Sequence, residues 1–181
     1  MPRITVPTEL SAEQKAVAER IVKTIGQLGG PYAAWINRPE LASRIFQLSD
    51  YFRSGAAIAP RLRLLAVLLT IRHWGADFPW SAQAPQALTA GLAPATVHAI
   101  AEGKTPSLTD PDEEVVYQVA TELLERRTLS DATYRRALDR LGQGELTELV
   151  AVVGHFSTVS LTAIAFDIQP AKPPAVALKK L

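Results

Sequence analysis

The stretch "RLRLLAVLLTIRHWGADFPWSAQAP", Arg61 to Pro85, decides the fold. After Arg63 its first half is apolar almost all the way round a 3.6-residue period, with no two-residue alternation. It therefore predicts a helix that must be covered on nearly every side, by its own domain or by a neighbouring subunit. Gly75 and Pro79 then interrupt the run. His73, Trp74, Asp77, Phe78, Trp80 and Gln83 crowd the turn that follows, which reads either as the mouth of a pocket or as a stiff corner between two helices.

The same helical period extends outward on both sides. Ser11 and Gln14 form a capping-box start, after which Val17, Ile21, Ile25 and Leu28 share one face until Gly29-Gly30-Pro31. "PYAAWIN" reads as a loop with an aromatic anchor. Pro39 opens a second long helix on which Leu41, Ile45, Leu48 and Phe52 form the apolar stripe, closed by Gly55. Downstream of the corner, "WSAQAPQALTAGL" predicts a short helix ending at Gly91, and a further short helix runs from Pro94 to Gly103. Asp110, Pro111 and Glu113 occupy N-cap, first-turn and capping-box positions of the next. Ser130 and Asp131 start a helix carrying Tyr134, Leu138 and Leu141. After "LGQGEL" a long apolar helix is expected from about Glu145 to Phe166, with Gly154, Thr158 and Thr162 as a small-residue packing seam. The expected architecture is all-α, about eight helices in one domain over residues 1–168. The proline-containing tail 169–181 is expected to be disordered or extended across a neighbouring subunit.

Composition excludes more chemistry than it supports. The 181 residues include 19 basic and 18 acidic side chains, a formal charge of +1 with no basic block, so nucleic-acid binding is not expected. Cysteine is absent, which removes disulfides, thiolate metal sites, cysteine nucleophiles and dithiol redox cycles. His73, His98 and His155 lie too far apart to form a local ligand pair, and no metal site is expected. There is no phosphate-binding glycine loop and no nucleophile elbow, so no cofactor is expected. The N-terminal residues lack an apolar h-region, giving a cytoplasmic expectation. "LVAVVGHFSTVSLTAIAF", Leu149 to Phe166, approaches spanning length, yet its polar residues favour a fully buried core helix over a membrane span.

What remains is a set of polar groups on apolar helices. His73 closes the buried helix, as a dipole-complementing cation or as an acid–base group. His155 sits within the long helix, where an imidazole needs a partner or a cavity. Gln83 can donate and accept hydrogen bonds but cannot shuttle protons near neutral pH. Asp77 serves as a helix-start residue or a pocket group, and Arg61 or Arg63 as a carboxylate clamp or as a surface ion pair.

Three segments resemble the carboxymuconolactone decarboxylase and alkylhydroperoxidase-D-like superfamily. They are "NRPELASRIFQLSDYFRSGAAIAPRLRLLAVLLTIRHWGADFPWSAQAPQALTAGL", "DPDEEVVYQVATELLERRTLSDATYRRAL" and "GELTELVAVVGHFSTVSLTAIAFDI". The resemblance covers about Thr8 to Ile168 and rests on the order and spacing of the pieces. It implies an AhpD-like helical bundle that assembles as a homo-oligomer, trimer or hexamer, with a pocket near the subunit interface. Peroxidase members carry a glutamate in the buried helix, a C-x-x-C at the next helix start and a histidine four residues beyond. Those places hold Leu64, Ala76, Pro79 and Gln83 here. The resulting expectation is a cofactor-free lyase or isomerase for a small carboxylated metabolite, or else a non-catalytic ligand-binding or scaffold member. In the first reading His155 or His73 transfers protons with Gln83 polarising a carbonyl. Arg61, Arg63, Asp77 and Trp80 then bind the substrate. With no thiol, hydroperoxide consumption in the presence of a dithiol reductant should stay at the protein-free rate. Turnover above that background in a peroxide assay would contradict the reading.

Overall fold

The run from 61 to 85 folds as two helices joined by a two-residue corner, in a computed structural model that describes residues 2–180. In chain order the elements are α1 (Ala12–Ile25), α2 (Pro31–Trp35), α3 (Pro39–Ser54), α4 (Pro60–Trp74), α5 (Asp77–Thr89), α6 (Pro94–Ala101), α7 (Pro111–Thr121), a π-helical turn (Glu122–Arg126) and α8 (Asp131–Ala165). No strand occurs among the described residues. Leu65, Ala66, Val67, Leu68 and Ile71 of α4 are at most 1% exposed, so the helix has no wet face along its centre. It is enclosed mainly by α8, α5 and α7. Each fully buried aliphatic side chain there contributes about 1.5–3 kcal/mol.

A second apolar cluster joins α1, α2 and α3 through Val17, Ile21, Trp35, Ile36, Ala42 and Phe46. The three tryptophan indoles brace the assembly. Trp35 Nε1 donates to Thr162 Oγ1 (3.2 Å), Trp74 Nε1 to Ser157 Oγ (3.0 Å) and Trp80 Nε1 to the Val176 carbonyl (2.6 Å). Polar residues in the second half of α8 thus serve as acceptors for docked indoles.

Several local expectations shift. α1 ends at Ile25 on left-handed Gly26, before the Gly29-Gly30 pair. "PYAAW" forms the one-turn helix α2, because Pro31 suits a first helical position. α5 begins at Asp77 rather than at Trp80, and accommodates Pro85 internally. The buried face of α3 lies one residue over from the expected stripe. Ala42, Phe46 and Phe52 are buried while Leu41 and Leu48 are exposed, since Phe46 packs its ring edge-on to Tyr32. In the same way Thr133, Ala137 and Leu141 face inward and Tyr134 outward.

The long apolar helix is not fully buried. Val150, Gly154, Thr158, Leu161 and Ile164 are exposed, so most of the small-residue seam faces away from the core. By length and composition alone α8 is apolar enough to cross a membrane. The tail lies extended on its own chain. Val176 and Leu178 pack against the core, Lys179 N donates to the Ala101 carbonyl (3.0 Å) and Arg72 Nη1 to the Lys179 carbonyl (2.5 Å).

The two halves of α8 meet at Gly142, whose φ of 72° and ψ of 172° are open essentially only to glycine. Gly142→Ala should therefore lower stability by about 1–3 kcal/mol. Gly144→Ala, two residues on in ordinary helix with open space around it, should be neutral or stabilising by up to about 1 kcal/mol. Urea unfolding of both variants measures the contrast.

Candidate functional site

A cavity of about 330 Å³ opens between the two apolar clusters, walled by residues of α1 to α5 and α8. Its polar groups are Gln27 from the α1–α2 turn, Tyr32 from α2, Ser49 and Arg53 from α3, Arg63 from α4, Gln83 and Gln86 from α5, and His155 from α8. The helical repeat explains their convergence. Ser49 and Arg53 are four residues apart on one face of α3, as are Arg63 and Val67 on α4.

His155 is 6% exposed, and its Nε2 lies 3.0 Å from Ser49 Oγ. The Tyr32 hydroxyl donates to Ser49 Oγ at 3.0 Å, and Ser49 Oγ also lies 2.9 Å from the Ile45 carbonyl. Ser49 has a single proton to give. When it donates to Ile45, the imidazole donates Nε2–H to it. When it donates to Nε2, the imidazole proton sits on Nδ1. The Tyr32–Ser49–His155 chain can thus hold either tautomer. Burial pushes the His155 pKa down to about 4, leaving the ring neutral at pH 7. Burial likewise raises the Tyr32 pKa, partly offset by the bond to Ser49.

Arg63 is a half-buried cation with no carboxylate at salt-bridge distance among the described residues. Desolvation lowers its pKa, against the attraction of Glu148, but a guanidinium remains protonated throughout the working range. Glu148 is occupied elsewhere. It accepts from Ala57 N (3.0 Å), Ile58 N (2.8 Å) and the Tyr51 hydroxyl, pinning the α3–α4 loop. Arg53, more exposed, pairs with Asp50 at 2.9 Å.

Of the residues singled out in the sequence, Arg63, Gln83 and His155 come together in this cavity. The others are placed elsewhere. Arg61 bridges Asp110 (2.7 Å) and Glu113 at the start of α7. Trp80 is fully buried against the tail, and Asp77 is exposed in the first turn of α5. His73 is exposed at the end of α4, beside a different hollow lined by Arg72, Tyr117 and Glu125. Ser49, Tyr32 and Arg53 escaped the sequence reading. For Ser49 the signal was the stripe Ala42, Phe46, Ser49, Phe52, in which a serine interrupts an otherwise apolar face; Tyr32 and Arg53 carried none of this kind.

The four places that the sequence resemblance pairs with peroxidase residues lie along this wall. Leu64, Pro79 and Gln83 line the cavity and Ala76 is buried at the corner, so neither acid, thiol nor imidazole stands at any of them. No group of three or more histidine, aspartate or glutamate side chains positioned to hold a metal occurs among the described residues.

The fold is the AhpD-like, carboxymuconolactone decarboxylase-type helical fold. The chain superimposes with a TM-score of 0.75 on the AhpD core of a peroxidase-related protein from Ralstonia eutropha JMP134, at 10% identity over 95% of this chain and 94% of that one. A peroxidase-related protein from Silicibacter sp. TM1040 gives 0.73 at 12% identity, over 96% and 92%. An Agrobacterium tumefaciens protein described as a putative antioxidant defence protein AhpD gives 0.66 at 13%, over 80% and 100%. No protein-family model and no curated protein matches the sequence.

Because the ordinary histidine pKa of 6.5 falls to about 4 in the fold, the unfolded chain binds a proton first as pH drops. The stability tied to neutral His155 is fully present above pH 6.5 and is lost between 6.5 and about 4, at most about 3 kcal/mol. Urea unfolding at pH 7 and pH 4.5 should show a smaller acid loss in His155→Gln than in the wild type.

Proposed function

We propose that this chain is a cofactor-free lyase or isomerase that binds a small carboxylated metabolite in the cavity between α3, α4, α5 and α8. The observation that carries the reading is Arg63, a half-buried guanidinium without a carboxylate partner among the described residues, in a chamber of ligand size. A substrate carboxylate supplies the missing anion, with Arg53 as a second contact at the rim. His155 then takes a proton from the carbon beside a carbonyl that Gln83 polarises through its amide N–H. It returns that proton to a different carbon in an isomerisation. In a decarboxylation no proton is taken from carbon: the electron pair of the broken C–C bond passes into the carbonyl as carbon dioxide leaves, and the imidazole relays a proton from solvent to the carbon left behind. A bound carboxylate beside the imidazole favours its protonated form and so restores basicity that burial has removed. Ser49 and Tyr32 orient the ring and accommodate the proton on either nitrogen.

A homo-oligomer, trimer or hexamer, belongs to the same proposal. Exposed Leu41, Leu48, Val150, Leu161 and Ile164 on α3 and α8 support it. A second reading, a non-catalytic binding protein, is favoured by the absence of any acid, thiol or imidazole at Leu64, Ala76, Pro79 and Gln83.

Small mono- and dicarboxylates should raise the melting temperature while their amides do not, and Arg63→Gln should remove the shift. Proton NMR of the same mixtures separates the two readings. An enzyme converts one of the bound acids and loses conversion by at least about a hundredfold in His155→Gln. A binding protein leaves every acid unchanged. Equal shifts from acids and amides would contradict both.

A further inference from the structure

A hydroxyl inside a helix ordinarily settles its proton on the carbonyl four residues back, as Thr70 does on Ala66 at 2.8 Å. Ser49 has that option at the Ile45 carbonyl (2.9 Å), but its Oγ has two further partners. The Tyr32 hydroxyl donates to it at 3.0 Å, and His155 Nε2 lies 3.0 Å away. With Tyr32 occupying one lone pair, the single Ser49 proton divides between a carbonyl and an imidazole. Among the described residues no other hydroxyl has a histidine nitrogen as its partner.

The pair meets the geometric requirement for an activated nucleophile: an alcohol oxygen within hydrogen-bond reach of a base, in the wall of a chamber that can hold a substrate. The two residues come from α3 and α8, 106 positions apart, so tertiary packing and not local helix geometry makes the contact. Burial keeps the ring neutral at pH 7, the form in which Nε2 accepts a proton when Nδ1 carries the other. Phe52 and Phe156 pack on the ring, with centroids 5.6 Å and 5.2 Å from it, and hold its orientation. Arg63 lines the same cavity and supplies positive charge for an oxyanion.

We propose that Ser49 is a nucleophile with His155 as its base, and that the cavity catalyses acyl transfer from a small ester to water. In the first step Ser49 Oγ bonds to the acyl carbon as its proton passes to Nε2. The bond from that carbon to the alcohol oxygen then breaks, and the imidazolium returns the proton to the departing alcohol. Water next attacks the acyl carbon while Nε2 takes its proton. The bond between Ser49 and the acyl group breaks, and Oγ recovers its hydrogen from the imidazolium. A chamber of about 330 Å³ admits an acyl group of a few carbons with a short alcohol. This activity needs no free carboxylate on its substrate, and so stands independently of the acid-binding reading above.

Diisopropyl fluorophosphate, which bonds its phosphorus to an activated serine oxygen with release of fluoride, traps such a residue. Incubated with the full-length protein at pH 7, it should label Ser49, as located by peptide mass mapping. In His155→Gln the label should appear at least about a hundredfold more slowly. The wild type should also hydrolyse p-nitrophenyl acetate above the protein-free rate, and Ser49→Ala should lose that excess. Labelling of the wild type needs no variant, so it decides the matter even where a substitution impairs folding. No label at Ser49, a label on Tyr32 or on lysines in its place, or equal labelling of folded His155→Gln would overturn the proposal. So would the absence of excess hydrolysis by the wild type, or its persistence in Ser49→Ala. None of these results bears on acid binding through Arg63, which the melting shifts judge separately.

Discussion

Everything in this structure depends on α4 having nowhere to expose itself. A helix buried along its whole centre forces α5, α7 and α8 against it, and the charges it does carry are confined to its first and last turns. Arg61 and Arg63 are two residues apart and so point to opposite sides of the helix. Arg61 meets the acidic start of α7, where its pairing with Asp110 holds that carboxyl below the usual carboxylate range. Arg63 emerges into the cavity instead, where no carboxylate of the chain pairs with it among the described residues. One helical turn therefore contains both a completed ion pair that fastens the fold and a guanidinium that faces the cavity.

The wall of the cavity at the α4–α5 corner is apolar apart from Arg63, Gln83 and Gln86, with Leu64, Val67, Phe78, Pro79 and Ala82 lining it. Across the chamber, on α3 and α8, Ser49 and His155 face each other at 3.0 Å. The indole braces hold that opposite wall in register, because Trp35 and Trp74 both hydrogen-bond to hydroxyls on α8 close to His155.

Much of this was legible in the sequence, and the gaps have physical causes. Caps announce themselves locally, so Ser11, Asp110 and Ser130 mark helix starts that the structure reproduces. The character of α4 was equally plain, because no choice of face makes that run amphipathic. Faces of α3 were not, since Leu41–Ile45–Leu48–Phe52 and Ala42–Phe46–Ser49–Phe52 are both plausible stripes. Only the tertiary partner, the aromatic pair on α2, chooses between them. That choice hid Ser49 and Arg53. His73 and His155 likewise look alike in sequence, each on an apolar helix, and are told apart only by the corner that carries one to the surface and the packing that encloses the other.

A neutral, buried imidazole and a guanidinium with no carboxylate partner among the described residues share one chamber. The most direct measurement is an NMR titration of the His155 ring carbon in the free protein and in saturating benzoate. Without ligand the ring should titrate near 4, from burial, and its pKa should move clearly upward once a carboxylate lies beside it. An ordinary value near 6.5 in the free protein, unchanged by benzoate, would contradict that expectation.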